Sequence, residues 1–371
     1  MKPDLYLASA SDIHCGHKKT TTEWVIKTLR REFPDTVSTH ALDLILFGGD
    51  FFDQLLHLNQ YDVPMILEWA GLFFQMAEQH QIEVYFLEGT PSHDWRQQRL
   101  LEVLKVLGHG RNHVHFVDEL SIVHNARLGI DILFVPDEWR PEPDDTWMEV
   151  RQLLLEKGLE KVDFTVLHGA FDFQLPAHVT VPKHTAERYQ NITRHRVFGA
   201  HIHTPSVHGN IRVNGSLERL AHNEEEDKGH WRVRFKDGEV DHEKFVVNKH
   251  AKIYRTIDCT KTELDEALTL VRKEVQAMPD DSHVRIRANK GEPVLASLDV
   301  LRKQFPQIHW STKAIEVEEI QQNLLVDLRA TYSQVQITPE NIQELLLNRL
   351  EQMAVDPAVL ARCHQRIGEL G

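Results

Sequence analysis

Five short polar signatures occur along the chain, and each closely follows a short apolar run. In chain order they are Asp12-Ile13-His14, Gly49-Asp50-Phe51-Phe52-Asp53, Ser92-His93-Asp94, His168-Gly169 and Gly199-Ala200-His201-Ile202-His203. Most of the apolar runs before them, such as 44–47 and 84–87, are bounded by turn-forming residues, as buried strands are. Ligands of α/β sheets bind at the carboxyl ends of strands. The sequence therefore predicts that the five signatures meet at one site.

The residue types in these signatures favour a metal centre. Carboxylate oxygens mixed with imidazole nitrogens suit manganese, iron or zinc rather than a metal selected by thiolates. Asp12 and His14, like His201 and His203, are two residues apart, and in extended chain both side chains of such a pair point the same way. Two ions about 3.5–4 Å apart can hold a phosphodiester, activate a bridging water and neutralise the leaving oxygen. Asp50 is the best placed candidate for the carboxylate that bridges them.

A single histidine is weak evidence here, because the chain carries 24 of them. The order of the five signatures at strand ends carries the prediction instead. The histidines outside them are expected to be solvated or satisfied by local hydrogen bonds, namely His17, His57, His208, His222 and His230.

Taken in order, the signatures resemble those of the calcineurin-like metallophosphoesterase superfamily. A further stretch, Asn214-Gly215-Ser216-Leu217-Glu218-Arg219, followed by residues 224–229 and Trp231, resembles the segment after the last metal histidine in the SbcD family of DNA double-strand-break repair nucleases. The resemblance covers roughly residues 5–235. It implies an α/β fold in which a two-sheet metallophosphoesterase β-sandwich is flanked by helices and followed by a smaller α/β capping domain and C-terminal helices.

Carried over residue by residue, the resemblance implies two sets of metal ligands. The first set is Asp12, His14, Asp50 and His203, and the second is Asp50, Ser92, His168 and His201. His93 would stabilise the scissile phosphate or protonate the leaving oxygen, which is general-acid work suited to an imidazole. Asp53 and Asp94 would orient a histidine or a water. A turn-forming or helix-capping role explains each of these two aspartates equally well.

One departure from the family pattern concerns the third signature. Where the family reads Gly-Asn-His-Asp, this chain reads Pro91-Ser92-His93-Asp94. A serine hydroxyl is a shorter and weaker ligand than an amide oxygen, so the second ion is expected to bind loosely or to complete its shell with water. The two divalent ions are expected to be manganese, with magnesium, iron and zinc as alternatives.

The formal charge of −14 argues against a chain that grips DNA with its whole surface, because duplex binding relies on Lys and Arg. Any contact with DNA must then be local, and a partner subunit can supply the rest. The candidates are Lys18, Lys19, Arg96, Arg99, Arg285 and Arg287. For each of them the alternative is a solvated basic residue.

The length of 371 residues allows two or three domains. We predict a nuclease domain over 1–250, a capping domain with a β-α-β-α-β pattern over 251–312, and a C-terminal helical region over 313–371. Residues 312–322 are the predicted flexible connection. The capping role rests on analogy of fold, which is weak evidence of function.

The C-terminal region carries two helix-start signals, Thr338-Pro339-Glu340 and Asp356-Pro357, each before an amphipathic pattern. Such helices can simply pack on the body of the protein. In the resembling family, C-terminal helices dock on the coiled-coil base of an ABC-type ATPase, which would make an SbcC-type subunit the partner. By the same analogy, helices over 23–33 and 63–80 would pair across a twofold in a homodimer.

Cysteine usage and hydropathy bear on location. The three cysteines, at 15, 259 and 363, form neither a metal spacing nor an even disulfide framework. The chain start lacks the apolar length of a signal peptide, and no run approaches the length of a membrane helix. These features predict a cytoplasmic protein without a membrane partner.

Three functions stay open at the level of sequence. The first is a manganese-dependent DNA nuclease subunit, an exonuclease or endonuclease that works with an ATPase. The second is a stand-alone metallophosphoesterase that acts on small phosphate esters or cyclic nucleotides, and the third is a weakly catalytic scaffold. The stretch 214–219 and the extra C-terminal module favour the first.

Overall fold

Two large mixed sheets, flanked by helices and followed by a smaller third sheet, confirm the predicted α/β fold. The computed structural model describes residues 1–2, 4–33, 39–176 and 178–316. Nearly all of them belong to one compact unit, Met1–Ala314. The two predicted C-terminal helices lie outside the described residues.

The strands are numbered in chain order. They are β1 (Asp4–Ala10), β2 (Leu44–Phe47), β3 (Glu83–Leu87), β4 (Val114–Val117), β5 (Ser121–Asn125), β6 (Ile130–Val135), β7 (Val162–His168), β8 (Thr193–Ala200), β9 (Ser206–His208), β10 (Ile211–Val213), β11 (Gly229–Lys236), β12 (Glu239–Val247), β13 (Tyr254–Asp258), β14 (His283–Asn289) and β15 (His309–Ile315).

The helices are numbered in the same way. They are α1 (Thr22–Glu32), α2 (Asp62–His80), α3 (Pro91–Asp94), α4 (Gln98–Val106), α5 (Pro143–Lys157), α6 (Ala186–Ile192), α7 (Leu264–Val275), α8 (Pro293–Ala296) and α9 (Leu298–Gln304).

The first two sheets each contain a parallel core. In the first sheet the order is β12-β11-β1-β2-β3-β4, with β1 to β4 parallel and β11 and β12 antiparallel. The second sheet has the order β5-β6-β7-β8-β10-β9, with β6, β7, β8 and β10 parallel. Parallel strands place their carboxyl ends at a common edge, which is where all five polar signatures lie.

Apolar side chains form three layers around these sheets. Alternate residues of β1 to β3 and of β6 and β7, such as Leu7, Leu46 and Phe164, are fully buried between the two sheets. The opposite face of the first sheet packs on α1, α2 and α4. The opposite face of the second sheet packs on α5 and α6. Helices therefore cover both outer faces, as a sandwich with parallel strands requires.

The third sheet, of order β13-β14-β15, has a core of its own that includes Val271, Ile286 and Trp310. The second helix of the predicted β-α-β-α-β pattern is interrupted at Ser297, whose hydroxyl donates to the carbonyl of Pro293 at 3.2 Å. A serine hydroxyl competes with the backbone in this way, so two short helices replace one. β15 runs to Ile315, so the predicted flexible connection begins as a strand.

The third sheet is attached to the sandwich by hydrogen bonds to two acids, Glu218 and Glu225. The backbone N–H of Lys252 donates to Glu218 at 2.7 Å, and that of Thr256 donates to Glu225 at 2.7 Å. Glu218 is fully buried. The stretch 214–219 therefore connects the sandwich to the start of the third sheet.

Histidines outside the signatures are satisfied locally in part. His17 accepts a hydrogen bond from the backbone N–H of Thr20 at 3.0 Å, and the exposed His208 stacks on Phe173. His230 is not solvated but makes a local hydrogen bond: it is fully buried and accepts from Nε of Arg232 at 2.9 Å. Burial holds the pKa of His230 well below its ordinary value. Within the described residues, no helix is both long and apolar enough to cross a bilayer.

Glu83, at the start of β3, stabilises the fold in a way that depends on pH. Its carboxylate is 4% exposed and accepts from His113 at 3.0 Å, His115 at 2.9 Å and Arg127 at 2.7 Å. Burial alone would raise the pKa of Glu83, but these hydrogen bonds lower it to about 2 from an ordinary 4.5. The stability that the ionised carboxylate contributes is therefore present above pH 4.5 and is lost as the pH falls towards 2.

We expect Glu83→Gln to lower the free energy of unfolding by about 2 kcal/mol at neutral pH, because three donors lose a charged acceptor that is itself buried. Urea denaturation at pH 7, 5 and 3 should show the difference from wild type narrowing between pH 5 and 3. Glu119→Gln, at an exposed position, is the control and should change little. A difference that stays constant down to pH 3 would contradict this account.

Candidate metal centre

Three groups of His and Asp side chains lie where parallel strands of the two sheets end. They are Asp12, His14 and His203; His14, Asp50 and His93; and Asp50, His168 and His201. Within each group the candidate ligand atoms lie within 4.8 Å of one another. Because His14 and Asp50 are each shared by two groups, the three groups form one continuous cluster.

The first group is built around two imidazoles that face each other. Nε2 of His14 lies 3.1 Å from Nε2 of His203, which is 3.8 Å from Oδ1 of Asp12. The other ring nitrogens are engaged, since Nδ1 of His14 meets Asp53 at 3.0 Å and Nδ1 of His203 meets Glu224 at 2.8 Å. A proton held on each Nδ1 by a carboxylate leaves both Nε2 lone pairs for a shared cation, as in many metal sites.

Asp50, which the second and third groups share, lies between two histidines. Its Oδ2 is 3.3 Å from Nε2 of His168 and 3.9 Å from Nε2 of His14. Nδ1 of His168 donates to the carbonyl of Gly48 at 2.7 Å, so Nε2 faces the cluster. Although burial opposes it, the His168 imidazole holds the pKa of Asp50 well below its ordinary range. Asp50 is thus a carboxylate placed as a bridging ligand would be.

Thr90, rather than Ser92, presents a hydroxyl to the third group. Oγ1 of Thr90 lies 3.2 Å from Oδ2 of Asp50, 3.4 Å from Nε2 of His168 and 3.4 Å from Nδ1 of His201. Ser92 has an exposed side chain, and its carbonyl accepts from the indole of Trp95.

The positions of Thr90 and Ser92 have a local physical reason. Thr90 is extended, with φ −62° and ψ 127°, and the next residue, Pro91, begins the one-turn helix α3. Proline favours the first helical position. The helix carries Ser92 to the surface, and the hydroxyl that lies beside Asp50 is that of Thr90.

Asp137 is a member of the site that the sequence analysis missed. Its Oδ2 is 3.1 Å from Oγ1 of Thr90 and 3.4 Å from Nδ1 of His201. It follows the buried strand β6 by two residues, the same strand-end signal as the other signatures. That signal was available in the sequence. Glu224 was likewise considered only as part of the acidic stretch 224–229, although its carboxylate orients His203.

The two aspartates that were predicted to orient other groups differ in what they contact. Asp53 accepts from His14, as expected of an orienting group. Asp94 is fully buried and accepts from the backbone N–H groups of Asp50 at 3.0 Å, Phe52 at 2.9 Å and Gly89 at 2.7 Å. These contacts favour the turn-forming alternative, because Asp94 holds the loop after β2 against the loop after β3.

His93 stands at the edge of the cluster. Its ring lies 5.1 Å from that of His14, edge-on at 82°. Nδ1 of His93 is buried and has no hydrogen-bond partner among the described residues. A buried ring nitrogen without a partner, next to convergent carboxylate and imidazole ligands, fits a site that receives a divalent cation and a polar substrate.

Several candidate ligands have a left-handed backbone. Asp12, His14, Asp50 and His201 have φ of 50°, 54°, 49° and 79°. Such conformations are costly for residues other than glycine and concentrate at functional sites. The two pairs therefore converge through turns, and not through the extended chain that we assumed from their spacing.

Close packing of the loops requires glycine at position 89. A Cβ on Gly89 would lie 2.2 Å from the backbone nitrogen of Asp50. Only a residue without a side chain lets the loop after β3 approach Asp50 in this way.

The predicted DNA contacts differ in their exposure and in their partners. Lys18 and Lys19 are exposed in the loop before α1, and Arg96 is exposed after α3. Arg99 is ion-paired with Asp118 at 2.6 Å, and Arg287 with Asp258 at 2.5 Å. Arg285 and Arg287 share one face of β14. Their binding to DNA stays a prediction.

Comparison with known proteins gives little beyond this geometry. No protein-family model matches the chain, and no curated protein matches it. Among solved structures, the crystal structure of TT1561 of Thermus thermophilus is similar, at 12% identity over 65% of this chain and 98% of that chain, with a TM-score of 0.37. A likeness of this extent does not indicate a function.

The hydroxyls of Thr90 and Ser92 can be separated by experiment. We expect Thr90→Val, which keeps the shape of the side chain but removes Oγ1, to weaken binding of a second equivalent of Mn²⁺ about tenfold. Ser92→Ala should leave both binding steps as in wild type. Calorimetric titration with Mn²⁺ measures both steps, and the reverse ranking of the two variants would restore Ser92 as the ligand.

Glu224 offers a second test. Glu224→Gln weakens the acceptor that orients His203, and we expect Mn²⁺ affinity to fall about 10- to 100-fold. Glu225→Gln is the matched control, since its carboxylate accepts from β13 and not from a histidine of the cluster. The metal-induced rise in melting temperature reports the affinity, and equal losses in the two variants would argue against an orienting role.

Proposed function

We propose that this chain is a two-metal phosphodiesterase that hydrolyses DNA, as the nuclease subunit of an SbcCD-like repair or recombination complex. The observation that carries the proposal is the continuous cluster in which Asp50 and His14 each belong to two groups of ligands. The donor set of carboxylates and imidazoles suits manganese, with magnesium, iron or zinc as alternatives.

The side chains divide into two ligand sets around Asp50. Asp12, His14 and His203 would hold one ion, and His168, His201 and the Thr90 hydroxyl would hold the other, with Asp50 between them. When bound, the pair of ions supplies positive charge for the phosphoryl oxygens and an acidified water as nucleophile. Asp53, Glu224 and the Gly48 carbonyl keep three imidazoles in the tautomer that binds a cation.

His93 is the group we assign to the substrate. Its partly exposed ring and unpartnered Nδ1 stand beside His14 and Asp50, within reach of a phosphate held by the cluster. An imidazole there can donate a hydrogen bond to a phosphoryl oxygen or a proton to the leaving oxygen.

DNA is the proposed substrate for two reasons. The stretch 214–219 resembles the SbcD family, and its Glu218 attaches the third sheet, a module that a small ester would not need. Lys18 and Lys19 stand exposed in the loop that follows His14. An ABC-type ATPase partner, a homodimer and a cytoplasmic location belong to the same proposal.

One observation favours the alternative of a hydrolase for small phosphate esters. The chain has a formal charge of −14, and two of the six candidate DNA contacts, Arg99 and Arg287, are neutralised by ion pairs. Phosphate backbones are bound chiefly by free Lys and Arg. The two functions differ in whether the purified chain cleaves duplex DNA.

The decisive experiment uses end-labelled linear duplex DNA with Mn²⁺. Wild-type chain should cleave it, and His93→Ala should cut at least 100-fold more slowly, because proton transfer by a positioned imidazole contributes about 10²–10⁴ in rate. His124→Ala, at an exposed histidine of β5, is the control and should retain full activity. Calorimetry should show that His93→Ala still binds Mn²⁺.

Two outcomes would overturn parts of the proposal. A fully active His93→Ala enzyme would remove His93 from the chemistry. Hydrolysis of bis(4-nitrophenyl) phosphate without cleavage of duplex DNA would favour the small-ester enzyme.

A further inference from the structure

We propose that a pocket beside the metal centre binds the nucleobase next to the scissile phosphate, stacked against Trp95 and Trp139. The proposal rests on the proposed function, because it assigns the substrate side of the same site. The pocket has a volume of about 580 Å³ and lies between the loop after β3 and the loop after β6. This volume is typical of a ligand site.

The pocket is continuous with the third group of candidate ligands, Asp50, His168 and His201. Gly89 and Asp137 line it, and Asp137 bonds to the Thr90 hydroxyl, which in turn contacts Asp50 at 3.2 Å. A substrate whose phosphate lies against Asp50 and His168 can therefore place a neighbouring group in this pocket.

The two indoles are suited to stacking because their polar atoms are already satisfied. Nε1 of Trp95 donates to the carbonyl of Ser92 at 2.7 Å, and Nε1 of Trp139 donates to Glu149 at 2.7 Å. What remains is apolar ring surface, and Trp95 is 55% exposed. Large exposed aromatic rings beside a site are the usual platforms for nucleobases, which gain affinity by stacking on them.

The backbone at and beside these indoles is strained. Trp95, Arg96 and Glu138 all have left-handed φ angles, of 48°, 55° and 46°, and all three line the pocket. Strained residues of this kind persist where the surrounding structure fixes them, and they mark binding sites. The Arg140 guanidinium, 5.2 Å from the Trp139 ring, further restrains that indole.

The charges around the pocket favour a base over a phosphate. The charged residues of its lining are four acids and one base, namely Glu88, Asp118, Asp137, Glu138 and Arg96, so carboxylates predominate. Carboxylate oxygens accept hydrogen bonds from the amino and imino groups on base edges and repel phosphate. A neutral planar ring with N–H donors is the ligand that satisfies both the indoles and the acids.

The test uses small diesters, so that it does not depend on cleavage of duplex DNA. The substrates are the 5′- and 3′-(4-nitrophenyl) esters of deoxyadenosine monophosphate, and the matching esters in which a hydrogen replaces the base. With Mn²⁺, wild type should show a kcat/KM at least tenfold higher for the base-containing member of one pair. Trp95→Ala and Trp139→Ala should each bring that ratio close to 1.

Three further variants give the test its controls. Trp95→Phe and Trp139→Phe keep an aromatic ring and should retain most of the ratio, which separates stacking from misfolding. Trp147→Ala, in α5, removes a ring that packs on Tyr189 and should leave the ratio as in wild type.

Equal rates with and without the base in wild type, or a ratio that survives both alanine substitutions, would overturn the base pocket alone. A chain that hydrolyses none of these esters and no DNA would overturn the pocket together with the proposed function. Base-dependent hydrolysis without DNA cleavage would support the pocket while contradicting the nuclease role.

Discussion

The carboxylate of Asp94 is the constraint on which the rest of the centre depends. It is fully buried and accepts from the backbone N–H groups of Asp50, Phe52 and Gly89, so it binds the loop after β2 to the loop after β3. A buried N–H that loses its acceptor costs about 1–3 kcal/mol. Burial and the nearby Asp50 carboxylate raise the pKa of Asp94, and the N–H donors oppose that rise. The position of Asp50 is thus fixed by a side chain that itself contacts no ligand histidine.

Around this anchor, three imidazoles are oriented by acceptors from two parts of the chain, the loop after β2 and the segment before β11. Asp53 lies on the same loop as Asp50, Glu224 precedes β11, and the Gly48 carbonyl directly follows β2. Lys228 has a fully buried ammonium that donates to Glu226 at 2.7 Å and lies 3.1 Å from Glu224. The buried ammonium of Lys228 thus neutralises Glu224 and Glu226 within the acidic stretch, whereas Asp227 is exposed.

The sequence predicted the parts of this arrangement that are local. Apolar runs identified the strands, and polar residues directly after them, such as Asp12 and His168, identified the strand-end cluster. What it could not predict depends on segments distant in the chain, since Asp94 meets the backbone of residue 50 across 44 positions. The hydroxyl beside Asp50 belongs to Thr90 and not to Ser92, because Pro91 begins a one-turn helix. The proline predicts that turn, whereas the family pattern indicates the serine.

The wide spacing of the ligands along the chain has a consequence for biosynthesis. His14 and His203 face each other across 189 positions, and His168 bonds to Gly48 across 120. Contacts of such separation form late in folding, because the loop that they close must be ordered first. A nascent chain therefore lacks the centre until β8 has left the ribosome and paired with β7. Capture of a cation by the whole cluster therefore follows the pairing of β7 and β8 and does not precede it.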